Sequence, residues 1–123
     1  MIIHESAENY LEAVLMLQEK NGFARSVDIA ALLNFSKPSI SVAMKNFREN
    51  GYINMEYNGH ITLTEKGMKI AKKTYDRHNL LTEILLSIGV SEKTAAEDAC
   101  KIEHDISEET YQKLKEYYLK EMG

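Results

Sequence analysis

The chain of 123 residues contains one cysteine, one proline and no tryptophan. A single cysteine cannot form a disulfide within the chain, so we expect a fold that is held by its core and not by covalent cross-links. One proline and six glycines are too few for a loop-rich or disordered protein. The sequence also lacks an apolar run of about 18 residues and the segments of a signal peptide. These absences predict a compact cytoplasmic protein without a membrane span.

Charge is distributed unevenly along the chain, although its net value is only −4. Residues 36–77 hold eight Lys or Arg and four Asp or Glu, a balance of +4, whereas residues 1–35 and 78–123 balance at −3 and −5. A basic middle third is typical of a surface that binds phosphate. A solvated face with a chance asymmetry would show the same charges, so this pattern alone does not decide between the two.

Helical apolar spacing and capping residues predict six helices, over about residues 6–19, 26–33, 36–50, 65–87, 91–104 and 107–121. Ser26, Ser36 and Thr64 are the predicted caps of the second, third and fourth helices. Two β-prone runs, 52–56 and 60–63, flank the Asn58-Gly59 signal of a tight hairpin. Helix, short helix, turn, helix and hairpin is the order of a winged helix-turn-helix. We therefore predict a mainly α protein, with a DNA-binding domain over residues 1–64 and a helical domain over residues 65–123 that share the helix 65–87. The alternative is a small helical bundle with an unrelated hairpin.

The third helix is predicted to enter the major groove of DNA. Its apolar side chains fall on one face and would pack inward, which leaves short polar groups and cations on the other face. The hairpin would act as the wing. The predicted DNA-binding residues are Lys37, Pro38, Ser39, Ser41, Val42, Lys45, Asn46 and Arg48 on the helix, and Tyr57 and His60 on the hairpin.

A thiol, a carboxylate and an imidazole follow one another at helical spacing near the end of the chain. Cys100, Glu103 and His104 stand at i, i+3 and i+4, so on a helix they share an arc of about 100°. Each of these groups can bind a transition metal. We expect a helix running to about His104 to present all three on one face.

Several motifs together resemble the diphtheria toxin repressor and manganese transport regulator family of metal-dependent repressors, in its short form without the SH3-like domain. The resemblance covers about residues 5–120. It rests on Glu8-Asn9-Tyr10-Leu11-Glu12, Ser36-Lys37-Pro38-Ser39-Ile40-Ser41, Leu63-Thr64-Glu65-Lys66-Gly67, Arg77-His78 and Cys100-Lys101-Ile102-Glu103-His104.

The resemblance implies a metal site and a mode of action. The implied ligands are Asn9, Glu12, His78, Cys100, Glu103 and His104. Asn9 stands where the manganese-type members carry an aspartate and the iron-type members a methionine. The resemblance further implies a homodimer on a near-palindromic operator, activated by metal to repress genes of metal uptake or homeostasis, and no enzymatic activity.

The metal and the alternatives follow from the donor types. One thiolate with imidazoles and carboxylates is softer than an all-oxygen site, which favours Fe²⁺ with Mn²⁺ second, while Zn²⁺, Co²⁺ or Ni²⁺ can substitute in vitro. Each ligand has a plainer interpretation. Glu12 could be a surface carboxylate, His78 a core histidine and Cys100 a small buried residue. The protein would then be a metal-independent winged-helix regulator that senses an organic ligand.

Overall fold

The computed structural model describes residues 5–121, with side chains described from residue 7 onward. Six helices and one antiparallel hairpin make up this part of the chain, which confirms the predicted fold class. The elements are α1 (Glu5–Asn21), α2 (Ser26–Leu33), α3 (Lys37–Glu49), β1 (Ile53–Met55), β2 (Ile61–Leu63), α4 (Glu65–Ser87), α5 (Glu92–Ile102) and α6 (Glu108–Glu121). None of the described helices has the length and apolar character needed to cross a bilayer.

The chain separates into two compact units, and the division falls inside α4 between Lys73 and Thr74. The first unit contains α1 to α3, the hairpin and the start of α4. The second contains the rest of α4 with α5 and α6. Each unit is described below by itself.

The first unit is built around an apolar core with fully buried aliphatic side chains. The largest are Leu11, Val14, Ile29, Ile40, Met44, Ile53 and Ile61. Strands β1 and β2 pair with Ile53 opposite Leu63 and Met55 opposite Ile61. The Ile61 amide donates to the Ala24 carbonyl at 2.7 Å, which joins the hairpin to the segment before α2. The helix-turn-helix and its wing are therefore one packed module.

Local capping explains where α3 and α4 begin. The Ser36 hydroxyl accepts from the Ser39 amide at 3.3 Å, and Pro38 lies in the first turn, where a missing N–H costs nothing. The Thr64 hydroxyl accepts from the Gly67 amide at 3.1 Å and donates to the Gly51 carbonyl at 2.6 Å. Thr64 thus caps α4 and fixes it to the end of α3.

One local prediction was wrong in detail. Ser26 does not cap α2, because Arg25 occupies the extended cap position and the helix begins at Ser26. The tight hairpin at Asn58-Gly59 is confirmed: the Glu56 amide donates to the His60 carbonyl at 2.9 Å, the Gly59 amide donates to the Glu56 carbonyl at 2.9 Å, and Gly59 has a positive φ of 86°. These are the features of a three-residue hairpin loop with glycine in the left-handed position. The Asn58 side chain accepts from the His60 amide at 3.0 Å.

The second unit has a small core. Its buried apolar side chains, among residues 74–121, are Leu81, Ala95, Ala99 and Tyr111, and the polar residues Thr74, Arg77 and Glu103 are buried with them. Two of the four apolar members are alanines, so little apolar surface is removed from water here. With so small an apolar core, this unit gains stability when its buried polar groups are bonded to partners.

Candidate metal site and DNA-reading surface

The carboxylate of Glu103 is fully buried between two imidazoles. Its side chain has no exposed surface, and that of His104 is 2% exposed. Glu103 Oε2 lies 3.0 Å from His78 Nδ1, and Glu103 Oε1 lies 3.3 Å from His104 Nε2. This second contact lacks the angles of a hydrogen bond, and within the described residues Oε1 has no hydrogen-bond partner. A buried carboxylate in this state is costly unless a cation completes it.

The three candidate ligands near the end of α5 differ in burial. The helix predicted to run to about His104 ends two residues earlier, at Ile102, and Glu103 is its cap residue with φ and ψ still helical. The side chains of Glu103 and His104 are buried, whereas Cys100 is exposed. The interpretation of Cys100 as a small buried residue is therefore wrong.

The remaining candidate ligands lie on helices. His78 is part-buried on α4, and its carbonyl accepts from the Thr82 hydroxyl at 2.7 Å. Glu12 lies on α1 and is 5% exposed, so the alternative of a surface carboxylate is wrong. Asn9, one helical turn earlier, is part-buried. Buried glutamates are rare unless they are paired or bind a metal, so the burial of Glu12 suits a ligand.

The donor set fits a divalent transition metal. Ligand bonds of about 2.0–2.2 Å place neighbouring donors on one ion about 3 Å apart. The contact of Glu103 Oε2 with His78 Nδ1, at 3.0 Å, matches that separation. His104 contacts the other oxygen of Glu103, at 3.3 Å. Imidazole and carboxylate donors suit Fe, Mn, Co or Zn better than an alkaline-earth ion.

A second candidate surface lies on α3. Ile40, Met44 and Phe47 are buried, as their spacing predicted. The predicted DNA-binding residues of this helix are all exposed: Lys37, Pro38, Ser39, Ser41, Val42, Lys45, Asn46 and Arg48. The outward face therefore combines cations, small hydroxyls and one apolar contact.

A cavity of about 230 Å³ opens beside this face. It is lined by Ser26, Ser41, Lys45, Arg48 and Met55. Ser26 and Met55 were missed by the sequence reasoning. The signal for Ser26 was its place at the start of α2, where helix amides point outward and attract anions.

The two predicted wing residues differ in their surroundings. Tyr57 is fully exposed at the tip of the hairpin. His60 is part-buried, and its ring is stacked on Phe23 with centroids 4.4 Å apart and planes 4° apart. The guanidinium of Arg25 lies over the same Phe23 ring, 5.5 Å from its centroid. His60 therefore holds the wing against Phe23, and Tyr57 is the side chain that extends from the wing.

Comparison with known proteins assigns both units to one family. The family model "Iron dependent repressor, N-terminal DNA binding domain" matches residues 3–61, and "Iron dependent repressor, metal binding and dimerisation domain" matches residues 64–120. An uncharacterised HTH-type transcriptional regulator of Methanocaldococcus jannaschii is 40% identical over 113 residues, covering 90% of each chain. The transcriptional regulator MntR of Escherichia coli O157:H7 is 37% identical over 106 residues, covering 86% of this chain and 68% of the relative.

Solved structures show the same fold. IdeR of T. acidophilum superimposes with a TM-score of 0.80 at 28% identity, over 96% of this chain and 55% of its own. A manganese-dependent transcriptional repressor in complex with manganese gives 0.78 at 23% identity, over 87% of this chain and 50% of its own. This chain thus spans about half the length of these two structures. It belongs to the iron-dependent repressor family, the diphtheria toxin repressor and manganese transport regulator family that its motifs indicated, whose members are metal-dependent DNA-binding transcriptional repressors and not enzymes.

Proposed function

We propose that this protein is a metal-activated repressor of genes for metal-ion uptake or homeostasis, with Fe²⁺ favoured over Mn²⁺. The observation that supports the proposal most strongly is the Glu103 carboxylate, fully buried between the imidazoles of His78 and His104. A bound metal would supply the positive charge that this carboxylate lacks and a link among its ligands. Because a repressor must reach DNA, the cytoplasm is the expected compartment.

The proposed ligands lie in both units. His78, Glu103 and His104 would hold the ion in the second unit, and Cys100 would join them if its side chain turns inward. Glu12 on α1, with Asn9 as a weaker donor, would supply the ligand from the DNA-binding unit, as the family resemblance implies. An ion bound by both units restricts their relative motion. A coupling of about 1–3 kcal/mol between metal and DNA would change operator affinity about 5–150-fold.

The DNA contacts are proposed to come from the exposed face of α3. Lys45 and Arg48, which line the cavity beside Ser26, would bind a backbone phosphate. Ser39, Ser41 and Asn46 would contact base edges, with Lys37 and Pro38 against the backbone. The exposed Val42 methyls suit a thymine methyl, and Tyr57 would extend from the wing.

A homodimer would present two such helices to the half-sites of a near-palindromic operator. The second unit carries exposed apolar side chains that favour this assembly, since Ile88 is 72% and Tyr117 66% exposed. Both line a cavity of about 270 Å³ together with Ile84, Ser87, Leu114 and Tyr118. Because the matched family domain over residues 64–120 is a dimerisation domain, we propose a second copy of this chain as the occupant.

The test is operator selection and binding with defined metals. Duplexes would be selected from a random library by the Fe²⁺-loaded protein under anaerobic conditions, and affinity would then be titrated with Fe²⁺, Mn²⁺, Zn²⁺ and Co²⁺ against a chelator. We expect affinity to rise at least about 5-fold with metal. Glu103→Gln should lose this rise, while Glu97→Gln, an exposed change of the same charge on α5, should keep it. DNA binding that ignores the chelator would favour a metal-independent regulator that senses an organic ligand.

A further inference from the structure

A buried arginine holds the turn that carries two of the proposed metal ligands. Arg77 precedes His78 on α4 and is 6% exposed. Its Nη1 donates to the carbonyls of Glu103 at 3.1 Å and Ile106 at 2.9 Å. Its Nη2 donates to Glu108 Oε2 at 2.8 Å. One side chain thus connects α4 to the whole segment between α5 and α6.

The choice of acceptors is informative. The guanidinium bonds the main-chain carbonyl of Glu103, and among the described residues no hydrogen bond joins it to the Glu103 carboxylate. A buried arginine beside a buried carboxylate would ordinarily form a bidentate pair with it. Here the guanidinium bonds the main chain and Glu108, and among the described residues the Glu103 Oε1 atom is left without a hydrogen-bond partner.

The carbonyls of Glu103 and Ile106 need a hydrogen-bond donor such as Arg77. Helix ends leave several carbonyls without a partner inside the helix, and the cap residue Glu103 and the turn residue Ile106 belong to this region. Arg77 satisfies both carbonyls at once, because its planar fork presents several N–H groups in fixed directions. The guanidinium also lies 5.1 Å from the centroid of Tyr111, which limits its movement.

We propose that Arg77 is a positioning residue for the metal: it sets the turn that orients Glu103 and His104 and leaves their side chains to the ion. This inference rests on the proposed metal-dependent function. Since Arg77 and His78 are consecutive, the same turn of α4 supplies one ligand and holds the segment of two others. Loss of such a supporting contact typically weakens metal binding about 10–100-fold.

The test compares Arg77→Lys with a control of similar burial. Lysine keeps the charge but presents a point charge in place of a fork, so it cannot bond both carbonyls and Glu108 together. Apo protein would be titrated with Co²⁺, and the dissociation constant and the visible d–d spectrum would be recorded beside the thermal unfolding of the apo form. We expect Arg77→Lys to raise the dissociation constant about 10-fold or more and to alter the spectrum.

The control is Leu81→Ala, which shortens a buried apolar side chain of the same helix that forms no hydrogen bond to the turn. It should lower the apo unfolding temperature yet leave the Co²⁺ dissociation constant equal to the parent's. An equal loss of Co²⁺ affinity in Leu81→Ala, or parental affinity in Arg77→Lys, would overturn the inference.

A second variant keeps the inference testable if Arg77→Lys does not fold. Glu108→Gln weakens only one of the three contacts, at a side chain that is 55% exposed. It should fold and raise the Co²⁺ dissociation constant in the same direction by about 3-fold. A value equal to the parent's would then count against the inference. If the parent itself binds no Co²⁺, the proposed function fails as well. The inference alone is overturned if the parent binds Co²⁺, Glu103→Gln does not bind it, and Arg77→Lys binds it with the affinity of the parent.

Discussion

Replacing Glu103 by glutamine should separate the cost of burying this carboxylate from its gain on binding metal. The substitution keeps the size of the side chain and removes its charge. In the apo protein Oε1 is buried without a hydrogen-bond partner among the described residues. An unsatisfied buried polar group costs about 1–3 kcal/mol, so the neutral amide should leave apo stability unchanged or raise it by about 1 kcal/mol.

In the presence of metal, the parent should be more stable than Glu103→Gln. A ligand at 100 times its dissociation constant stabilises the folded state by about 2.7 kcal/mol. For a chain of this length about 1 kcal/mol corresponds to about 4 °C, so the parent should gain about 10 °C. Glu103→Gln should gain almost nothing at the same metal concentration, because the anionic donor between His78 and His104 is lost.

The assay is thermal unfolding followed by circular dichroism, with and without Fe²⁺ (anaerobic), Mn²⁺ or Co²⁺. The matched control is Glu97→Gln, which removes the same charge from an exposed position of α5 and should keep the full shift. If Glu103→Gln keeps the metal-induced shift, Glu103 is not a ligand. If its apo form unfolds far below the apo parent, the carboxylate has a structural role that the hydrogen bonds do not explain.

Three further predictions concern other parts of the molecule. Lys45→Ala and Arg48→Ala should each lower the slope of log affinity against log salt by about 1.8, because each removes one phosphate contact from both subunits of the proposed dimer, as measured by operator binding between 50 and 200 mM salt. Gly67→Ala should destabilise the protein by about 2 kcal/mol or more in urea unfolding, because its Cβ would overlap the Tyr52 carbonyl oxygen. Ile88→Asp should weaken self-association at least about 10-fold in sedimentation, because it places a charge in the apolar surface proposed to face a second copy.

Each of these predictions has its own control. Lys113→Ala, an exposed lysine on α6, should leave the salt dependence of DNA binding unchanged. Lys69→Ala, an exposed position on the same helix as Gly67, should leave the unfolding free energy within about 0.5 kcal/mol of the parent's. Val27→Asp, an exposed apolar position on α2, should leave the oligomeric state unchanged. Each assignment would be contradicted if the test variant behaved like the parent, or if its control lost as much salt dependence, stability or self-association as the test variant.

Much of the fold was predictable because its signals are local. Ser36 and Thr64 cap α3 and α4 as expected, since a hydroxyl at the cap bonds an amide three residues away. The inner face of α3 follows from the helical period alone, which places Ile40, Met44 and Phe47 on one side. The cap of α2 was predicted one residue too late, because Arg25 and not Ser26 occupies the extended cap position.

The site was predictable only in part. Helical spacing predicted Cys100, Glu103 and His104 on one face, but the thiol is exposed and the other two side chains are buried. Spacing gives the direction of a side chain on its helix, whereas its burial depends on what packs against that helix. His60, predicted as a DNA-binding residue of the wing, stacks on Phe23, and that contact joins residues that no periodicity connects.

The sequence by itself determined the order of the helices and the hairpin, the outward face of α3 and the kinds of donor available to a metal. Only the tertiary structure decided that the Glu103 carboxylate lies between His78 and His104, that Glu12 is buried, and that Arg77 bonds the carbonyl of Glu103 across 26 positions of the chain. Caps and periodicity act over three or four residues. The burial of a charge depends instead on which distant segments pack around it, and no local pattern of residues specifies that packing.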